Sequence, residues 1–347
     1  MLLEHADLSA SDAVERLVGL QAQNPQDPYF ALWSRLHDFR AEELSKLLEQ
    51  RRVVRAALLR ATVHLISAND YLTIRPLMQP LTRRTLNGSQ FGKNVRGLDE
   101  SEIVAEARRL LDERPRTRAE LGRAMQERWP ERDAESLGIA ATYLLPLVQI
   151  PPRGLWRRSG QAVWATVESW LGEPLRPAAD IDALMLRYLA AFGPASAADA
   201  RVWSGITGLT EVFARLKPKL RAFKDETGAE LYDLPDAPRP SADEEAPALF
   251  LPVYDNITLS HARRDRIVSA AARKMPGVNL DGTFLLDGFV AGSWKLERGK
   301  ASAELRLRPV ARLTRAQRKE LEAEGDCAEA RRAKRTRFVA GARRAWS

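Results

Sequence analysis

Apolar positions recur at helical spacing three times in the first fifty residues. Val14, Leu17 and Val18 mark one helix, with Ser9 as its N-cap. The same stripe continues to Gln21, where a polar amide falls in an apolar position. The helix must stop by Asn24, because Pro25 disfavours helical geometry in the residue before it. Asp27 is expected to cap a second helix with Pro28 in its first turn, and Phe30, Trp33 and Leu36 to point inward. Ala41, Leu44, Leu47 and Leu48 mark a third helix. After Arg51 the period changes: VVRAALLRATVHLI is β-branched and aliphatic, and reads as one or two strands. Ser67 and Asp70 then open another helix, SANDYLTIRPLM.

The next stretch repeats this grammar. Ser101 is expected to cap a helix to about Asp112, Thr117 and Glu120 form a capping box, and a third helix from about Asp133 carries IAATYLLPLV. Two strand-like stretches around a basic loop follow, in IPPRGLWRRSGQAVWAT. Three helices and a hairpin is the winged-helix order, an elaboration of helix-turn-helix. It returns in IDALMLRYLAAF, a helix capped by Ser196, a helix capped by Thr210, and a hairpin through LRAFKD and AELYDLP. The expected architecture is mainly α with small β-hairpins: three tandem winged-helix units at 1–97, 98–175 and 176–236, then a β-rich extension at 237–347 packing on the third. In that extension PDAPRPSADEEAP reads as a solvated linker. DGTFLLDGFVAGSWKLERG is a hairpin turning at Asp287-Gly288, and LTRAQRKELEAEG is an amphipathic helix.

Composition narrows the function classes. The 347 residues carry 54 Lys and Arg against 46 Asp and Glu, a net charge of +8, which favours an acidic partner such as nucleic acid. Ten of the basic residues are Lys and 44 are Arg, a bias to which a GC-rich genome also contributes. One cysteine, Cys327, excludes an intrachain disulfide, and four scattered His argue against a structural zinc site. No apolar run is long enough to span a membrane, and the acidic start MLLEHADLSASDAVER is not a leader. The expected protein is a cytoplasmic, nucleoid-associated monomer. No Gly-rich phosphate loop, dinucleotide fingerprint, HExxH or GxSxG is present, so no cofactor is expected.

The sharpest local oddity is Gln21 and Gln23, in GLQAQNPQDP. Either both are exposed or capping amides at a helix end, or they share a pocket. On a continuing helix they would point about 200° apart, so a shared pocket requires the helix to unwind near Ala22. An amide cannot ionise near neutral pH, but it can orient a water or aim a carbonyl dipole at a cation.

GLQAQNP, RATVHLISANDY, PPRGLWRRSG, and LPVYDNITLSHARRDRIV with the hairpin ending in GSW resemble the winged-helix DNA glycosylases of the AlkZ-like group. The resemblance covers about residues 10 to 310. It implies three winged helices around a basic channel, and a Gln-x-Gln pair, here Gln21 and Gln23, that acts in glycosidic bond cleavage. The sister YcaQ-like group carries Gln-x-Asp instead. The implied activity is monofunctional release of N7-alkylated purines, including bulky adducts and interstrand crosslinks, from double-stranded DNA. The rival is a non-enzymatic winged-helix DNA-binding protein or transcription regulator, which has the basic wings and no need of the glutamines.

Other candidates carry two readings each. Thr62 and His64 alternate along a strand, as core or as residues lining the lesion site. Arg153, Trp156, Arg157 and Arg158 occupy the predicted wing, solvated or on phosphate. Asp255, His261, Arg263, Arg264 and Arg266 form either a junction network or a DNA contact. Phe289 beside the Asp287-Gly288 turn is core or an apolar wedge for a groove. The tail from Arg331 has seven basic residues and no acid, and is read as either phosphate-binding or unstructured.

Overall fold

The computed structural model describes residues 1–241, 243–274, 281–298, 303–330 and 336–340. The first helix, Ala10–Arg16, is capped by Ser9, whose hydroxyl accepts from the Asp12 amide. It ends well before Asn24, the limit that Pro25 sets. Val18 and Gly19 adopt φ of 54° and 87°, which turns the chain out of helical space. A Cβ at Gly19 would lie 3.0 Å from the Leu65 carbonyl, so the position is reserved for glycine. Leu20–Gln21 is instead a short strand against Val63–Ser67, with Gln21 opposite His64. Asp27 is likewise not a cap. It is the first residue of Asp27–Trp33 and buried, and its carboxyl accepts from the Tyr254 amide.

The strands Val53–Ala57 and Val63–Ser67 pair antiparallel through a 3-10 turn, Leu59–Ala61. The Ser67-capped helix continues through Pro76 and Pro80 to span Ala68–Asn87. The second segment has helices Glu100–Glu113, Arg118–Gln126 and Ala134–Leu144, then the hairpin Leu147–Ile150 and Val163–Thr166. Asp99 takes the cap expected of Ser101, and the Thr117–Glu120 capping box forms. The third has Ile181–Phe192, Ala197–Ser204, Leu209–Leu216 and the hairpin Arg221–Lys224 with Glu230–Asp233. Gly208, with φ of 78°, is the N-cap there, and Thr210 lies within the helix.

Periodicity does not show how the segments join. Val53–Ala57 pairs with Leu147–Ile150, fusing the hairpins of the first two segments into one six-stranded sheet with Arg55 opposite Gln149. One core embraces Tyr29, Leu44 and Tyr71 together with Tyr188 and Trp203 of the third segment, whereas the second segment packs around Leu110, Leu121, Met125 and Trp129. The C-terminal region forms a five-stranded sheet, including the hairpin Gly282–Leu286 and Phe289–Arg298. Its turn is Asp287-Gly288, both residues at positive φ, as an Asp-Gly hairpin requires. The expected amphipathic helix is Arg315–Ala330. Of the basic tail, Thr336–Ala340 is a strand parallel to Ala303–Pro309, and the rest lies outside the described residues. Among the described residues no helix is long and apolar enough to cross a membrane.

The chain after Leu249–Leu251 laces these parts together. Arg35 donates to both Asp255 carboxylate oxygens, at 2.7 and 2.9 Å, with both side chains buried. Asn256 donates to the Gly19 carbonyl at 2.8 Å and its Oδ1 faces the Gln21 amide at 3.4 Å. Tyr188 donates to the Ser260 carbonyl, and the Ala262 amide donates to Asp199.

Candidate active site

Extended backbone through Ala22, whose amide donates to the Val63 carbonyl, carries both glutamines, but of the two only Gln23 lines the adjoining cleft, whereas Gln21 lies against Arg60 and opposite His64. The two differ in freedom. Gln21 is 6% exposed, and its Oε1 accepts from Arg60 Nη2 at 2.5 Å. Gln23 is exposed, and its Oε1 accepts from the Val63 amide at 3.3 Å. Gln23 also lines a cleft of ≈ 330 Å³ between the first two segments, bordered by Arg55, Arg118, Gln149, Arg153 and Gln161 and by no carboxylate or lysine.

Arg60 is the residue that sequence reading missed. It sits at φ 54° and Ala61 at φ 56°, a backbone that non-glycine residues adopt at a cost of roughly 1–3 kcal/mol each. That turn drives the guanidinium inward, where it also donates to the Trp203 carbonyl and lies 3.3 Å from His64 Nε2. Burial, then the charge of Arg264, brings Arg60 down to about 10, so it stays a cation near neutrality. Nothing in LLRATVH marks this arginine, because its role depends on a left-handed turn and on a carbonyl 143 residues away.

His64 is buried and does not line the cleft, so of its two readings the structure has the core one. Burial, and next the Arg60 charge, pushes it down to about 3. Its Nδ1 lies 3.0 Å from the Thr62 carbonyl, which only accepts, so Nδ1 carries the proton and Nε2 offers its lone pair to Arg60. A neutral His64 thus completes the cradle that orients Gln21. Thr62 precedes the strand and donates to the Leu59 carbonyl, bracing the same turn.

The other candidates divide. Arg153 reaches the cleft, with one nitrogen donating to the Gly160 carbonyl at 2.7 Å. Arg157 and Arg158 are exposed on the wing loop. Trp156 is not an outward-reaching residue: it packs against Tyr29, Phe30 and Trp33 and anchors the loop on the first segment. His261 is also no DNA contact, being buried with Nε2 3.0 Å from the Phe192 carbonyl. Arg263 pairs with Asp225 and Asp265, and Arg266 donates to the Pro194 carbonyl, as a junction network does. Arg264 is exposed, and its carbonyl accepts from the Ile267 and Val268 amides. Phe289 stands 50% exposed beside its turn, the geometry a wedge needs.

Asp27, beneath this site, supplies a pH test. Burial pushes its carboxyl up to about 7, with Asp255 adding to the rise, while the Tyr254 amide and Arg55 oppose it. The native state therefore holds a proton that the unfolded chain, with a pKa near its ordinary 3.8, has already released. Stability falls as pH rises through that window, from about 4 to about 7. Asp27→Asn should lose this dependence and gain on the native protein by roughly 2–4 kcal/mol between the two ends. Urea titrations across the window check it, and parallel slopes for both proteins would acquit Asp27.

Comparison with known proteins is consistent with this geometry. A family model described as DNA glycosylase AlkZ-like matches residues 14–330. No curated protein matches the chain. Among solved structures, Streptomyces sahachiroi DNA glycosylase AlkZ aligns with a TM-score of 0.71 over 97% of this chain and 95% of that one, at 20% identity, a likeness that shows a shared fold. With most of its length matched by that model, the chain belongs to the AlkZ-like DNA glycosylase family.

Proposed function

We propose that this DNA glycosylase hydrolyses the N-glycosidic bond of N7-alkylated purines in duplex DNA, bulky adducts and crosslinks included, and leaves an abasic site. The observation that carries this reading is the amide pair: Gln21 locked by Arg60, and Gln23 on a cleft walled by arginine and glutamine. Alkylation at N7 already makes the base cationic and a good leaving group, so a site of amides without an acid suffices. As the C1′–N bond breaks, positive charge moves to the sugar, and a preorganised carbonyl dipole stabilises it. Gln23, the freer of the two, is suited to that task. Gln21 holds the attacking water in line through its N–H groups. No lysine borders the cleft, so no Schiff base forms and the enzyme is monofunctional. A base tethered to both strands resists full extrusion, and an open cleft between segments suits it better than a tight pocket.

In the same reading, the winged-helix units at 1–97, 98–175 and 176–236, with 237–347 packed on them, present this cleft to DNA. Arg157, Arg158 and Arg264 contact phosphates, and the protein acts as a cytoplasmic monomer at the nucleoid. Duplex oligonucleotide with a single N7-methylguanine, incubated with enzyme and then treated with alkali, should break at the lesion. An intact strand after incubation with stoichiometric enzyme would end the substrate assignment.

A further inference from the structure

The cleft beside Gln23 contains an arginine whose hydrogen-bonding capacity is mostly unused. Arg55 is 1% exposed, and among the described residues its Nε and Nη1 have no hydrogen-bond partner. Three buried N–H groups of a cation without acceptors are costly, because desolvation is not repaid. The guanidinium is held rigidly all the same. Its Nη2 donates to the Ala22 carbonyl at 2.9 Å, midway between the two glutamines. Gly154 presses on its stem so closely that a Cβ there would lie 2.5 Å from Arg55 Cδ. Directly across the sheet stands Gln149, 6% exposed, whose Oε1 is equally without a partner. Its amide can turn either end to a ligand.

The surroundings select the ligand's charge. Arg118 and Arg153 share the cleft with Arg55, and no acid borders it. Burial, and next repulsion from Arg153, brings Arg55 down to about 10. The carboxyl that opposes this charge, Asp27, is pushed up to about 7 by burial, so near neutrality it is only about half ionised. A planar fork of free N–H donors beside further cations is the arrangement that takes a phosphate oxygen pair.

We infer that this cleft is a phosphate-group site, and that its occupant is a backbone phosphodiester of the damaged strand, next to the deoxyribose that Gln23 faces. The inference rests on the glycosylase reading above and adds the contact that registers the sugar on the amide pair. Arg55 is then a positioning residue: anchored at Ala22, it ties the phosphate to the backbone that carries both glutamines.

The test uses a duplex with an uncleavable tetrahydrofuran abasic analogue and neutral methylphosphonate linkages introduced one at a time around it. One linkage should weaken binding by the wild-type protein roughly tenfold and lower the salt slope by about 1. Arg55→Gln should bind the all-phosphate duplex correspondingly less well and be indifferent to that linkage. Arg153→Gln, at a half-exposed position, should show the same pattern more weakly and stands in if Arg55→Gln does not fold. Inorganic phosphate should raise the melting temperature of the wild type and not of Arg55→Gln. Overturning results are a wild type indifferent to every linkage, or variants that keep its full sensitivity. Stabilisation by inorganic phosphate without a sensitive linkage would mean a free-anion site and would overturn the DNA assignment. Base release is scored separately. Linkage dependence without N7-methylguanine release sinks the substrate reading and leaves this site standing, and release without linkage dependence does the reverse.

Discussion

Gln21→Ala and Gln23→Ala are each expected to slow N7-methylguanine release by roughly 10²–10³ under single-turnover conditions, the usual loss when one preorganised group at a developing charge is removed. The two should fail differently. Gln23 is exposed and bonded only to the Val63 amide, so its truncation should leave the melting temperature unchanged. Gln21 is buried against a cation, so its truncation removes an acceptor from Arg60 and should also lower stability. Arg60→Gln keeps both glutamines and loses the fork that fixes Gln21. A rate loss of about tenfold, non-additive with Gln21→Ala, is expected because the two residues act as one unit. Full activity in Gln23→Ala would take the pair out of the chemistry. Additive losses for Arg60 and Gln21 would show that Arg60 does not act through the amide. Near neutrality no step should follow the titration of His64, since burial holds it at about 3.

Asp255→Ala should be the most destabilising single change, by roughly 3–5 kcal/mol, because it strands the buried Arg35 guanidinium without its counter-charge. Replacing both partners with apolar residues of similar volume should recover most of that loss, since the pair itself is worth far less than either half left alone. Urea titration of the two single variants and the double separates these cases, and a fully additive double variant would contradict the pairing. The loss should reach the active site too. Asn256, the next residue, clamps the Gly19 carbonyl and the Gln21 amide, so Asp255→Ala should lower base release even where the protein remains folded.

Much of the local order lay within reach of the chain alone. Ser9, Thr117, Asp133 and Ser196 are caps because a short polar side chain precedes a periodic apolar run, and each bonds the amide three residues ahead. The Asp287-Gly288 hairpin and the strand pair around RATVH follow from equally local rules. The limits are equally local. Apolar spacing alone carries the first helix's stripe on to Gln21, because it ignores a valine at positive φ before a glycine. Asp27 and His261 resemble surface groups in sequence and are buried by segments that arrive from more than two hundred and about seventy residues away, at Tyr254 and Phe192.

Caps, turns, strand periods and the Gln-x-Gln spacing are matters of residues within a turn or two of one another, and the chain settles them unaided. What Gln21 touches, how Arg55 comes to lie unpaired opposite Gln149, and which of the basic residues are spent on ion pairs are not local quantities. They follow from two hairpins fusing into one sheet and from Asp255 and Asn256 returning to clamp the first strand. The reason is physical: burial and a partner's charge decide what a polar side chain can do, and both are supplied by residues distant along the chain.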